Sequence, residues 1–249
     1  MKKLGIALIT AMTISAPAFA ADMAARPMKA PPMVAPPVAS WTGCYIGAGG
    51  GGAYTTDDHY SLNGAGVQNT VSTTNGARGW FGTVQAGCDY QFNNFVVGAF
   101  GDYDFMDVKG DAISPFVPAT GSAKQDWQWS VGGRVGYLVF PQLLTYVSGG
   151  YTQAHYKAID LTTFGAVTPT VTIASHTRNG WFIGTGDEYA MSFLPGLFWK
   201  TEYRYSEFDR ANIPGYAFGT TNQVTTWNEK NREHSVRSEL VYRFNWNGR

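Results

Sequence analysis

The sequence predicts an all-β fold, an eight-stranded antiparallel transmembrane β-barrel of the outer-membrane type, with long extracellular loops and short periplasmic turns. Three observations predict it. The chain carries 15 Phe, 14 Tyr, 8 Trp and 30 Gly with only 14% charged residues, a composition of sheet rather than of capped or heptad-patterned helix. Beyond Trp41 it divides into eight segments long enough to cross a bilayer as tilted strands, which takes about 9 to 11 residues each. The connections between those segments alternate strictly between short and long, the pattern of a barrel with turns on one side of a membrane and loops on the other.

Met1-Lys2-Lys3, an apolar run from Leu4 to Ile14 and the small-residue triplet Ala18-Phe19-Ala20 form a secretory signal peptide, residues 1–20, cleaved before Ala21. The run is too short for a membrane-spanning helix, which needs roughly 18 to 20 apolar residues. Position 21 is Ala and the first Cys is Cys44, so no lipid anchor is expected. Formal charge is zero over the whole chain, and loss of Lys2 and Lys3 with the signal leaves a slight acidic excess, which gives no support to nucleic-acid binding. Residues 21–40 follow as a periplasmic tether, because the prolines between Arg26 and Val38 deny helix and ladder hydrogen bonds alike.

Residues 41–249 are assigned to the barrel. The expected strands run Thr42 to Tyr54, Arg78 to Phe92, Phe95 to Met106, Asp126 to Phe140, Leu143 to Tyr156, Arg178 to Met191, Gly196 to Phe208 and Glu233 to Phe244. Asn93-Asn94, Pro141-Gln142 and Ser192 to Pro195 supply tight-turn chemistry, whereas 55–77, 107–125, 157–177 and 209–232 are long connections rich in Ser, Thr, Asn, Gly and charge. Period-two alternation gives each strand two faces. The seventh sets Leu197, Trp199, Thr201, Tyr203 and Tyr205 against Lys200, Glu202 and Arg204; the eighth sets Val236, Leu240, Tyr242 and Phe244 against Arg237, Glu239 and Arg243. Hydrocarbon must meet the apolar set, so the charges turn inward.

The inward set is Asp89, Asp102, Asp104, Glu202 and Glu239 facing Arg134, Lys200, Arg204, Arg237 and Arg243. Eight strands enclose an interior only about wide enough for side chains, so these charges are expected to pair and fill the lumen. A proton or solute path along them is the functional alternative. Strand six carries adjacent acids, Asp187 and Glu188, and alternation sends Asp187 to the lipid side, at headgroup height near the strand end unless a bulge turns it in. Cys44 and Cys88 fall near the periplasmic rim of neighbouring strands, as a cross-strand disulfide or as two free thiols; either is a structural matter, not a redox centre.

Several segments resemble a known family: Trp41-Thr-Gly-Cys-Tyr-Ile-Gly47, Gly82-Thr-Val-Gln-Ala-Gly-Cys-Asp-Tyr-Gln91, Gly98-Ala-Phe-Gly-Asp-Tyr103, Gly180-Trp-Phe-Ile-Gly-Thr-Gly-Asp-Glu-Tyr-Ala190, Lys200-Thr-Glu-Tyr-Arg-Tyr205 and Val241-Tyr-Arg-Phe-Asn-Trp246. They are similar to the porin-like outer-membrane proteins of alphaproteobacteria, the opacity-like surface antigens. The resemblance implies an outer-membrane address and a role in envelope integrity or surface contact rather than catalysis. Family members commonly carry an aromatic where Cys44 and Cys88 stand, and the joint change favours their pairing. Asp187 replaces a usual apolar residue. Tyr242 and Phe244 resemble the signal read by the outer-membrane assembly machinery, although five residues follow Phe244.

No cofactor and no metal are expected, and nothing reads as a catalytic site. The expected partners are outer-membrane lipid and lipopolysaccharide, the assembly machinery, and an extracellular partner met through the loops. A narrow-pore porin is the first alternative. Haem or metal capture is another, since His59, His155, His176 and His234 all lie in or beside long connections, but they lack ligand spacing such as His-x-x-x-His. A small lipid-modifying enzyme would need a His and Ser at the outer rim; His234 and Ser235 are adjacent and so point to opposite faces.

Overall fold

The computed structural model describes residues 40–114 and 118–244. The expected signal peptide (1–20), all of the tether (21–40) but Ser40, and the last five residues lie outside that range. Eleven strands form one sheet: β1 (Gly43–Leu62), β2 (Thr73–Phe92), β3 (Phe95–Ile113), β4 (Ala119–Phe140), β5 (Leu143–Tyr156), β6 (Ile159–Thr163), β7 (Val171–Ile173), β8 (His176–Ala190), β9 (Leu197–Phe208), β10 (Ala211–Ala217) and β11 (Gln223–Phe244).

Eight of them, in the order β1-β2-β3-β4-β5-β8-β9-β11, close through antiparallel pairing of β1 with β11. Closure leaves no strand edge, which is the condition for placing sheet in hydrocarbon. The long seam from Cys44↔Phe244 to Leu62↔Thr226 runs without a register shift. The turns at one end are tight, and Asn93 takes the positive φ of 53° that its turn requires.

The remaining three strands continue this ring rather than decorate it. Towards the loop end, β5, β8 and β9 are interrupted at 157–158, 174–175 and 209–210, and β6, β7 and β10 take over. Pairings β4–β6, β6–β7, β7–β10 and β10–β11 join the outer parts of β1, β2, β3 and β4, so a second ring of eight strands stands on the first. The expected long connections are corrected accordingly: much of 55–77, 107–125, 157–177 and 209–232 is barrel wall, β3 running to Ile113 and β4 starting at Ala119, and the other tips shrink to 63–72, 164–170 and 218–222. The physical reason is that these segments face water outside. They lack the apolar outward row by which a membrane strand is recognised.

Side-chain burial alternates along the strands. In β11 the odd residues from Trp227 to Arg243 are buried and the even ones are partly or fully exposed. Outward, Ile46, Val84, Val135, Val147, Ile183 and Leu240 form an apolar band. Aromatic rows bound it, with Tyr54, Trp80, Phe105 and Trp181 towards the loops and Tyr90, Tyr137, Tyr189, Trp199 and Tyr242 towards the turns. Among several bulges, the one that bears on the lumen lies in β4, which pairs with β5 through Gln125 and Trp127 but skips Asp126, turning Gln125 inward above an outward Trp127.

Candidate functional site

The lumen is built in layers. At the short-turn end Trp41 is fully buried, its indole Nε1 donating to the Pro141 carbonyl at 3.3 Å and its backbone N–H to Gln91 Oε1 at 3.2 Å. Val96, Phe100, Leu138, Leu144, Phe198 and Val241 pack with it into an apolar plug.

Directly above lies a closed four-membered ring of charge. Arg134 donates to Asp89 and, at 2.8 Å, to Glu188; Arg243 donates to the same two carboxylates at 2.6 and 2.7 Å. Both guanidiniums also lie 4.9 Å from the Tyr45 ring centroid, a cation–π contact favoured where water is excluded. Gly98 faces Asp89 so closely that any Cβ there would collide with its carboxylate. A narrow barrel makes room for large charged side chains in this way.

The next layer centres on Lys200, which reaches Glu239 at 3.1 Å, Glu202 at 3.5 Å and Gln85 Oε1 at 2.9 Å, while Tyr146 donates its hydroxyl to Glu202 at 2.7 Å. Above it Arg204 bridges Asp102 and Glu202 at 3.0 and 2.8 Å, and Arg237 bridges Asp102 and Asp104 at 3.4 and 3.0 Å. Phe182 and Phe81 lie under these two guanidiniums. The ionic column ends at Gln125, which donates to Glu233 at 3.0 Å.

All ten lumen residues expected from the sequence therefore come together, and none is more than 7% exposed. The inward set was incomplete. Glu188 is fully buried and closes the four-membered ring, so six acids, not five, meet five bases, and Glu233 above them is a seventh buried acid, held by Gln125 rather than by a base. The alternation that turns Asp187 outward turns Glu188 inward, so the signal was present. Trp41, Gln85, Tyr45 and Tyr146 were also missed, since uncharged residues at inward positions do not stand out by charge.

Cys44 and Cys88 are register partners, joined by a disulfide on the outward face. Asp187 points outward, accepts a 2.6 Å hydrogen bond from Thr145 and lies two residues from Tyr189 of the aromatic row. Tyr242 and Phe244 stand edge to face on the outward side of β11, centroids 5.3 Å apart. The histidines scatter. His59 is buried and stacks on Trp227, His155 pairs with Asp126, His176 stacks on Tyr156, and His234 lies outside, 2.7 Å from the Tyr203 hydroxyl. Among the described residues no group of three or more His, Cys, Asp and Glu side chains is placed to hold a metal ion. Ser235 faces the lumen while His234 faces out.

Beyond Tyr54 the interior changes character. Ala112, Ala119, Ile159, Leu161, Ile173, Ile213 and Trp227 form an apolar core, beside which a cavity of about 40 Å³ is bordered by Asp57, Tyr156, His176, Glu229 and Asn231. Burial, aided by the Glu229 charge, pushes the Asp57 carboxyl up to about 7. Burial opposes charge on His59, but the adjoining Asp57 carboxylate outweighs it and raises the imidazole above its usual value. Burial alone dominates at His176 and lowers it.

The model of the outer membrane protein beta-barrel domain family matches residues 6–244. The 31 kDa outer-membrane immunogenic proteins of Brucella melitensis and Brucella suis are each 30% identical over 253 aligned residues, covering 98% of this chain and all of theirs. Among solved structures the outer membrane protein OprG of Pseudomonas aeruginosa aligns with TM-score 0.50 at 10% identity, over 83% of this chain and 99% of its own, a likeness of fold. A closed ring with charge inside and an aromatic-bounded apolar band outside is what such a location demands, and this chain belongs to the outer-membrane β-barrel family, within its alphaproteobacterial surface-antigen group.

Proposed function

We propose that the protein is a non-conducting structural barrel of the outer membrane that displays its outer ring and loop tips to the surroundings, and that it has no catalytic role. The observation that carries this reading is the continuous filling of the lumen from Trp41 to Glu233 by side chains that are paired and buried. A hydrated path would need those pairs to separate, leaving buried charges uncompensated. One tip offers apolar contact to the outside: Phe164 and Val167, three residues apart, are 91% and 99% exposed. The Brucella relatives are named as immunogenic proteins, in keeping with a surface that outside molecules meet. Lipopolysaccharide around the wall, the assembly machinery at Tyr242 and Phe244, and an extracellular partner at the tips are its proposed contacts. Purified protein in planar bilayers tests the sealed lumen. No steady single-channel steps are expected; reproducible unitary conductance would replace this reading with that of a narrow porin.

A further inference from the structure

Just beyond the outer aromatic row, three bases stand side by side on adjacent strands. Arg78 of β2 is the register partner of Lys109 of β3, and Lys109 is the partner of Lys124 of β4. All three lie on the outward face, and like charges directly opposite one another on neighbouring strands destabilise a sheet. The neighbouring wall of β1, β11 and β9 shows how such charge is otherwise handled: Arg232 pairs with Asp58 at 2.7 Å and Lys230 with Glu207 at 2.8 Å. Here the two lysines share one carboxylate, Asp107, at 3.0 and 2.6 Å. Arg78 has no hydrogen-bond or ion-pair partner among the described residues.

Two of the bases, Arg78 and Lys109, border a shallow groove of about 450 Å³, to which Tyr54, Gly76, Asp111 and Ser122 also contribute; Lys124 stands beside it, on the far side of Lys109. Tyr54 is the register partner of Arg78 and brings a phenol hydroxyl. Gly76, without a side chain, keeps one wall open. Asp111 and Ser122 are paired across β3 and β4 and offer an acceptor and a hydroxyl at the far end. Below the groove Trp80 and Phe105 begin the apolar band, at 66% and 59% exposure.

We propose that this groove binds the phosphorylated sugar headgroup of an outer-leaflet glycolipid. A phosphate sits between Arg78 and Lys109, whose planar fork and mobile ammonium suit its oxygens. Sugar hydroxyls meet Asp111 and Ser122, and the acyl chains descend over Trp80 and Phe105. The ligand's charge then relieves the repulsion among the three bases. Height selects the source: the groove lies where outer-leaflet headgroups lie, next to the wall that holds the chains. This deepens the lipopolysaccharide contact proposed above and is independent of whether the lumen conducts.

The test is native mass spectrometry of the full mature protein in detergent micelles, titrated separately with bisphosphorylated lipid A, with the same lipid enzymatically stripped of phosphate, and with inorganic pyrophosphate. Retention of bisphosphorylated lipid A at least tenfold tighter than of the stripped lipid is expected, weakening as ionic strength rises. The double variant Arg78→Gln, Lys109→Gln should lose about tenfold or more, whereas Lys230→Gln, on β11 and outside the groove, should bind as the parent does. Heat-dependent gel mobility establishes that each variant is folded. Equal retention of both lipids, or unchanged binding by the double variant, overturns the proposal. Pyrophosphate binding as tight as the lipid would also overturn it, since the site would then serve a soluble anion.

Discussion

The membrane ring and the outer ring are made by the same eight-stranded closure, yet their interiors differ: the first is filled by ion pairs, the second sets an apolar core beside a smaller polar side made by Asp57, His59, Arg178, Glu229 and Asn231. Within the membrane the lumen holds Arg134, Arg243, Lys200, Arg204 and Arg237 with their acids, and the outward face is Ile46, Val84, Val147 and Leu240. In the outer ring the centre is Trp227, Ile213, Ile173 and Leu161, and the outward face carries Asp58, Lys109, Lys230 and Arg232. β11 contains both regimes in one unbroken alternation, apolar Trp227 inward near its start and Arg237, Glu239 and Arg243 inward near its end. Between them Glu229, Asn231 and Glu233 are inward and polar, so what changes along β11 is the outward face, charged at Lys230 and Arg232 and apolar at Val236 and Leu240. The solvent outside decides which face takes the charge: hydrocarbon forces it in, and water lets it out.

If that comparison holds, the two rings should fail separately and for different causes. The largest effect is expected from breaking the four-membered ring of charge. Arg134→Met leaves Asp89 and Glu188 with Arg243 alone, and stranding a buried charge costs about 3–5 kcal/mol. Urea unfolding in detergent, followed by heat-dependent gel mobility, should show the whole barrel destabilised, with part of the loss recovered on adding Asp89→Asn. A loss below about 1 kcal/mol would mean that the ring is hydrated and its charges already solvated.

The outer ring should respond locally. Trp227→Ala removes the largest side chain of its apolar core and should cost about 3 kcal/mol, felt as faster proteolysis of 159–173 and 211–227. The heat-dependent mobility of the membrane ring should stay at the parent's. Simultaneous melting of both rings would erase the distinction between them. Next in size is the disulfide. Cys44→Ser with Cys88→Ser should cost about 2 kcal/mol, the low end for a covalent link, because the β1–β2 ladder already holds those strands. Two alkylatable thiols in the untreated parent protein would remove the bond altogether.

How much of this was legible depends on which solvent a residue faces. The ten lumen charges could be read because a charge recurring opposite Trp199, Tyr203, Leu240 or Tyr242 has only one place to go. The eight-stranded closure could be read for the same reason. The outer continuation of β1, β2, β3 and β4 could not, because Thr56, Asp58 and Tyr60 present water-compatible side chains outward and imitate a loop. Trp41 is legible only once closure brings Pro141 and Arg243 beside it, 100 and 202 residues away along the chain. Glu188 is legible by the same alternation that turns Asp187 outward, but its role in the ring is not, because Arg134 and Arg243 reach it from strands 54 and 55 residues away.

The smallest expected effect is a pH dependence confined to the outer ring. Asp57 has its carboxyl raised from 3.8 to about 7, so the folded outer ring binds a proton that the unfolded chain gives up. Its contribution to stability is fully present below about pH 4 and is lost as pH rises towards 7. His59, also raised, adds to that trend, losing its contribution as pH rises through its folded value. His176, lowered by burial, works against it: its contribution is present above its ordinary value of 6.5 and is lost as pH falls below. Since the Asp57 side chain is 24% exposed, screening holds the net effect to about 1 kcal/mol. Hydrogen exchange of residues 55–62, corrected for intrinsic rates, should show protection declining between pH 4 and 7, and Asp57→Asn should flatten the decline. The membrane seam from Cys44 to Ala53 should show no such slope, and a parallel slope there would place the titrating group in the ionic column instead.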